Sequence, residues 1–211
     1  MRAFVAIACV VLACLYGEAI RADTKEFDPE QFNQVIKVFD TKVKYPAASW
    51  QDDRLVDASE YYRQQEGPSF VFEQIPKGEK FDSWTKLYAI HGQMNEDLTY
   101  ETYVKASLKV YFEVCGPDNF KLQVLQKSDI NITVLIFCED SPNATMAGYG
   151  AGVGEVTLMY LARPKTAFIK VYQHWRGDAY KAADQSSWPV GIDAVQMMIK
   201  RFQRIAFEMP K

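Results

Sequence analysis

The two histidines are the side chains best suited to acid–base chemistry near neutral pH. His91 and His174 are the only histidines in the 211 residues, and both lie in segments that alternate as strands. They are not at metal-ligand spacing, so a reaction would need the fold to bring one of them to a carboxylate such as Glu155. Two unrelated strand histidines are the simpler interpretation. A secreted enzyme of unrecognised type that uses His91 or His174 is therefore the alternative function.

Complete catalytic motifs are missing from the chain. The sequence contains no G-x-S-x-G, H-E-x-x-H or C-x-x-C pattern. No catalytic residue, metal site or cofactor is predicted, and binding is favoured over catalysis.

Aromatic side chains give the first candidate for a binding surface. Phe, Trp and Tyr make up 14% of the chain, and the segment Tyr45–Tyr62 is rich in them without a steady period. Tyrosine and tryptophan provide a large contact area in interfaces. The segment is therefore predicted to present Tyr45, Trp50, Tyr61 and Tyr62 to a protein or small-molecule partner.

Alternating glycines between Gly148 and Gly154 give the second candidate. A strand rather than a helix N-terminus follows them, so a phosphate-binding loop is not favoured. In a flexible loop, Gly150 and Gly152 could let a ligand approach the backbone. His174 completes this set, because it shares a strand face with Lys170 and is expected to be partly solvated.

The first 22 residues are typical of a secretory signal peptide. Arg2 is followed by an uncharged run, Ala3–Tyr16, that is shorter than the roughly 20 residues of a membrane-spanning helix. Cleavage is expected after Ala22, or alternatively after Ala19. The chain then divides into a signal peptide, 1–22, and one domain, 23–211, in the periplasm or outside the cell. A lipoprotein anchored through Cys14 is the alternative, because residues 11–14 are similar to a lipobox.

Loss of the signal changes the cysteine count and the charge. Cys115 and Cys138 would be the remaining cysteines, and in an oxidising compartment a disulfide between them is the simplest expectation. Two buried free thiols are the alternative. The loss of two arginines and one glutamate would change the formal net charge from −3 to −4. This acidic balance gives no reason to expect nucleic acid as a partner, and no transmembrane segment is predicted.

The regular elements that must position these residues come mostly in strand pairs. Helices are predicted at Pro29–Asp40, from Asp97 or Thr99 to Val114, and from Pro189 to Ala206, with a short helix at 57–65 in an otherwise irregular region. Strands are predicted at Ser69–Ile75, Ser83–Gln93, Phe120–Gln126, Ile132–Cys138, Glu155–Ala162 and Thr166–Trp175. Adjacent strand pairs predict a single α+β domain, with an antiparallel sheet of about six strands flanked by helices.

One segment resembles a known group of proteins. The run Phe72–Thr85 has an aromatic strand, a Pro-x-Gly-Glu turn at Pro76, and Trp84-Thr85 before the next strand. It resembles a pattern in small exported proteins of Gram-negative bacteria, some of them from intracellular pathogens. The order of elements is similar to the Mog1/PsbP-like arrangement, which is used mostly for binding. The first resemblance implies a periplasmic or secreted bacterial protein and transfers no catalytic residue. Together with the predicted signal peptide, the missing catalytic motifs and the aromatic segment, it favours an exported, non-enzymatic binding or accessory protein of a Gram-negative bacterium, for example a secreted virulence-associated factor.

Overall fold

The computed structural model describes residues 33–51, 58–148 and 150–208. The predicted signal peptide, Cys14 and the first four residues of the helix predicted at Pro29–Asp40 lie outside the described residues.

A seven-stranded antiparallel sheet forms the centre of the molecule, and a three-stranded sheet packs beside it. The strand order is β3-β4-β5-β9-β8-β7-β6 in the large sheet and β1-β2-β10 in the small one. The strands are β1 Asn33–Val38, β2 Thr41–Pro46, β3 Ser59–Glu66, β4 Ser69–Pro76, β5 Lys86–Met94, β6 Phe120–Lys127, β7 Asn131–Cys138, β8 Val153–Ala162, β9 Ala167–Asp178 and β10 Ala206–Glu208.

All six strands predicted from the sequence are present, within three residues of their expected limits. The fold class, α+β with an antiparallel sheet flanked by helices, is confirmed. The predicted sheet of about six strands has seven in the structure, because β3 adds to the edge formed by β4. Strands β1, β2 and β10 form the small sheet, which the sequence did not predict.

The first predicted helix is wrong over its described part. Residues 33–38 form strand β1, which pairs with β2 through a short turn at Phe39 and Asp40. Ile36 and Val38 are buried while Val35 is exposed, which is the two-residue period of a strand with one covered face. The apolar positions also matched a helical spacing, and pairing with β2 decided the outcome.

The short helix predicted at 57–65 is also wrong where the structure describes it. Residues 59–66 form β3, an edge strand that pairs only with β4 within the large sheet. Most of its side chains are exposed on both faces. An uncovered edge strand has no buried face, so its sequence carried no two-residue hydrophobic period to detect.

The two expected later helices are present. Helix α1, Tyr100–Asn119, begins after Thr99, whose hydroxyl accepts a hydrogen bond from the backbone N–H of Thr102. It breaks at Gly116, whose φ of 70° precedes Pro117. Helix α2, Ile192–Phe202, ends earlier than predicted, because residues 206–208 form β10 against β2.

The large sheet separates two cores. On one face lie α2 and the small sheet, which bury residues such as Phe202 and Val43. This packing is close: a Cβ at Gly92 of β5 would lie 2.3 Å from Cγ1 of Val38. On the other face lies α1, packed through Tyr103 among other residues. We call this second side the helix face.

The predicted disulfide is present. Cys115 of α1 and Cys138 of β7 are bonded, with their Cα atoms 5.3 Å apart and 23 positions apart in sequence. Both residues are almost fully buried. The bond therefore attaches the C-terminal end of α1 to the sheet.

The double variant Cys115→Ala/Cys138→Ala should lower the free energy of unfolding by about 3 kcal/mol, because the bond restricts a loop of this length in the unfolded chain. Urea unfolding followed by circular dichroism would measure the loss. A reductant should produce a similar loss in the wild-type protein and none in the double variant. Equal stability of the two oxidised proteins would contradict the assigned role.

Candidate functional site

Ionisable side chains form a row across the helix face of the large sheet. Lys170, Tyr172, His174 and Arg176 occupy alternate positions of β9, so all four point to this face. The register places His91 opposite Lys170, and Glu155 opposite Arg176. We call the following set the helix-face row: Glu73, His91, Glu155, Lys170, Tyr172, His174 and Arg176.

Glu155 is the centre of one end of the row. Its Oε1 lies 2.9 Å from Nδ1 of His174, and its Oε2 accepts hydrogen bonds from Nε and Nη2 of Arg176 at 3.4 and 3.3 Å. The contact between Glu155 and His174 is short but lacks the geometry of a hydrogen bond. It is therefore an electrostatic contact. Glu155 and His174 are 5% and 8% exposed.

The charge of Glu155 is compensated inside the protein. Burial alone would raise the pKa of its carboxyl group, but the electrostatic attraction of His174 and Arg176, together with the hydrogen bonds from Arg176, outweighs burial and holds that pKa below its ordinary value. The carboxylate therefore remains ionised at neutral pH and fixes both partners.

Aromatic side chains surround this end of the row. The guanidinium carbon of Arg176 lies 3.5 Å from the ring centroid of Trp84, a cation–π contact. The Tyr111 hydroxyl of α1 lies 2.9 Å from Nε2 of His174. Trp84 is placed by the β4–β5 loop, where Glu79 accepts hydrogen bonds from both the backbone N–H and the hydroxyl of Thr85.

A second cluster lies at the middle of the row. Nε2 of His91 is 3.1 Å from Oε1 of Glu73 and 2.9 Å from the Tyr172 hydroxyl. Burial lowers the pKa of His91, and the hydrogen bond with Glu73 only partly offsets this. Burial, with a smaller contribution from Glu73, raises the pKa of Tyr172 well above its ordinary value. Tyr172 therefore stays protonated, and its ring lies between the two histidines.

Lys170 differs from the other members of the row because it forms no ion pair or hydrogen bond with the described residues. Its Nζ lies 5.0 Å from the centroid of the Tyr172 ring. The side chain is partly buried, and burial lowers its pKa from 10.5 to about 8, although Glu73 acts in the opposite direction.

Three cavities whose walls consist of described residues open along the row. One of about 160 Å³ lies between α1 and the Glu155 end, and includes Trp84, Tyr111 and the disulfide in its wall. A second of about 240 Å³ lies on the Glu73 and Tyr172 side of Trp84. The largest, about 520 Å³, lies between α1 and strands β4, β5 and β9, with Lys170 and His91 in its wall. We call this largest space the helix-face cleft.

The predicted aromatic surface is divided by the fold. Tyr45 is 3% exposed and belongs to the core between the sheets, and Trp50 is partly buried with its indole N–H donating to Ser59. Tyr61 and Tyr62 are 47% and 43% exposed on edge strand β3. Of the four predicted aromatic residues, Tyr61 and Tyr62 are therefore the exposed pair, and neither lines the helix-face cleft. Tyr45 is buried because its ring packs against Phe72 and Tyr88 of the large sheet.

The two predicted glycines differ from Gly148 in their surroundings. Gly150 and Gly152 are exposed, and neither has a neighbour within 4 Å of an added Cβ. Gly148 instead lines the cavity on the Glu73 side of Trp84. The expected solvation of His174 is wrong, since α1 and Trp84 cover it.

Sequence reasoning missed Glu73, Trp84, Lys170 and Arg176 as members of the site. The available signal was the alternation of ionisable residues in β9, where Lys170, Tyr172, His174 and Arg176 occupy every second position. Such positions in a central strand must find partners within the fold.

Within the described ranges, no three His, Cys, Asp or Glu side chains are grouped so as to hold a metal ion. Those ranges also include no helix with the length and apolar character needed to cross a membrane.

No protein-family model matches the chain, and no curated protein matches it in sequence. Among solved structures, the Ran-binding protein Mog1p of Saccharomyces cerevisiae is similar over 84% of this chain and 95% of its own, with 12% identity and a TM-score of 0.45. A mutant of protein Mog1 is similar over 84% of this chain and 96% of its own, with 12% identity and a TM-score of 0.44. A protein of Bacteroides thetaiotaomicron matches 82% of this chain and 46% of its own, with 11% identity and a TM-score of 0.34.

Mog1 is thus among the solved structures to which the chain is similar. At these identities and TM-scores no residue role or partner is transferred to this chain.

The variant Lys170→Met should be more stable than the wild-type protein at pH 7, by about 2 kcal/mol, because it removes a partly buried ammonium group. Since the folded-state pKa of about 8 lies below the ordinary 10.5, the unfolded chain binds more protons between these values. Wild-type stability should therefore rise with pH in that interval, and the advantage of Lys170→Met should disappear near pH 10.5.

Urea unfolding of both proteins between pH 6 and 10.5 would measure this difference. Lys165→Met, which removes an exposed ammonium group from the β8–β9 turn, is the matched control. A Lys170→Met variant less stable than wild type at pH 7 would contradict the description of Lys170.

Proposed function

We propose that the chain is an exported binding protein that holds a small molecule in the helix-face cleft. The observation that carries this proposal is a cleft of about 520 Å³ whose wall combines apolar side chains with Lys170 and His91. Ligand sites are commonly concave, of this size, and mostly apolar with a few converging polar groups.

The rigidity of the wall supports binding over an incidental gap. One side of the cleft is the central part of the sheet, where β5 and β9 are paired over nine residues. The other side is α1, which is attached at its end by the Cys115–Cys138 bond. A preformed wall reduces the entropy lost when a ligand binds.

Export is supported by the disulfide together with the signal peptide predicted at 1–22. Structural disulfides persist in oxidising compartments such as the bacterial periplasm or the cell exterior. We therefore propose that the protein works in the periplasm or outside a Gram-negative cell.

A general acid–base enzyme is the second candidate function. The observation that favours it is His174, which lies between the Glu155 carboxylate and the Tyr111 hydroxyl at the edge of a cavity. A carboxylate, an imidazole and a phenol in sequence can move a proton. Chemical conversion of a bound molecule, abolished by His174→Gln, would favour this function over binding alone.

Native mass spectrometry should detect a bound small molecule on protein recovered from the periplasm or medium of its host. Ala106→Trp should remove most of the bound form, because Ala106 of α1 lines the cleft and the larger side chain would fill it. Lys105→Trp, at an exposed neighbouring position, should retain the ligand.

The absence of any bound mass on the wild-type protein, even after incubation with a small-molecule extract of the host, would contradict the proposal. Equal retention by wild type and Ala106→Trp would exclude this cleft as the binding site.

A further inference from the structure

We propose that the ligand of the helix-face cleft is a small organic monoacid with an apolar tail, and that its carboxylate binds Lys170. This inference rests on the proposed binding function and specifies the class of ligand.

The ionisable side chains among the described residues that line the cleft are Lys170, His91 and Tyr103. Lys170 and His91 are positive when protonated, whereas burial raises the pKa of Tyr103 and keeps its phenol neutral. The described lining residues include no aspartate or glutamate. Glu73, the carboxylate nearest to this end of the row, instead contacts His91 and Tyr172 and lines a different cavity. The cleft therefore offers positive charge without a competing carboxylate in its wall.

Lys170 is available to a ligand in a way that Arg176 is not. Arg176 is engaged by Glu155 and Trp84. The ammonium group of Lys170 has the Tyr172 ring as its described neighbour and no carboxylate within ion-pair distance in the described chain. An anionic ligand would stabilise a partly buried cation of this kind, because the ligand would supply the opposite charge next to the ammonium group.

The charge of the ligand follows from the number of cations. His91 already contacts Glu73 and Tyr172. Lys170 is the one ammonium or guanidinium group in the described wall. One positive charge matches a monoanion, whereas a phosphate dianion would leave a second charge desolvated without a partner. A carboxylate therefore fits the wall better than a phosphate.

The remaining wall specifies the tail. The apolar residues that line the cleft are Phe70, Val71, Leu98, Tyr103, Ala106 and Val110. Neutral polar groups such as Gln93 and Ser107 can accept or donate further hydrogen bonds without changing the charge balance. The combination fits an acid with a hydrocarbon body of several carbons.

Three probes that differ only in the head group would test this inference: octanoate, octanamide and octylamine. Isothermal titration calorimetry at pH 7 should show octanoate binding at least tenfold more tightly than octanamide, and octylamine binding most weakly. Amide NMR shifts should change at Gly92 and Gln93, which line the cleft.

Lys170→Met should weaken octanoate binding at least tenfold and leave octanamide binding within about twofold, since a neutral head group does not use the ammonium charge. Lys86→Met is the matched control: Lys86 lies on β5 but points to the opposite face of the sheet, so octanoate affinity should not change. Dispersed NMR spectra would establish that each variant folds.

Equal affinity for octanoate and octanamide, or octanoate binding that survives Lys170→Met, would overturn the carboxylate assignment and leave the binding function standing. Tighter binding of octyl phosphate than of octanoate would overturn the monoanion argument. If none of the probes shifts Gly92 or Gln93, both the assignment and the cleft as a ligand site fail.

Discussion

The feature on which the site depends is that a helix covers a sheet face carrying charged groups. Alternate positions of the central strand β9 hold Lys170, Tyr172, His174 and Arg176, so α1 cannot pack against a continuous apolar surface. Val104 and Leu108 pack on the apolar part of this face, and further contacts fix the helix near its two ends. At the start, Tyr103 stacks on Phe168 at 4.5 Å between ring centroids; at the end, the Cys115–Cys138 bond attaches it to β7. The helix-face cleft and the cavity at the Glu155 end both have α1 in their walls.

Members of the helix-face row differ in how their buried charge is stabilised. His174 and Arg176 stabilise the buried charge of Glu155, and for this reason the pKa of its carboxyl group is lowered. Lys170 has no such partner among the described residues, and its lowered pKa records burial without an ion pair. Native structures usually pair buried charges, so an incompletely paired cation at a cleft points to function rather than stability. This contrast between Glu155 of β8 and Lys170 of β9, both in the helix-face row, is the physical basis for the proposed ligand.

The sequence was sufficient to predict the elements with a clear period. Ile132–Cys138 is apolar on both faces and is found as a central strand, and the cysteine at its end pairs as expected. The N-terminal region was mistaken for helix because Ile36 and Val38 acquire a buried strand face only through pairing with β2 and packing near Gly92. The site likewise depends on pairing between strands. His174 and Glu155 were recognised as possible partners, but their contact depends on the register of β8 and β9. Trp84 and Lys170 join the site through long-range packing, which local spacing does not encode.

The most direct test of the account is a crystal structure of the protein with 8-bromooctanoate, using the anomalous signal of bromine to locate the tail. The account predicts a bromine peak between α1 and strands β4 and β5, near the apolar wall of the helix-face cleft. It also predicts a carboxylate oxygen about 3 Å from Nζ of Lys170, the distance of a charge-assisted hydrogen bond. A bound acid located elsewhere, with the cleft filled by protein side chains and Lys170 paired to a carboxylate of the chain, would contradict it.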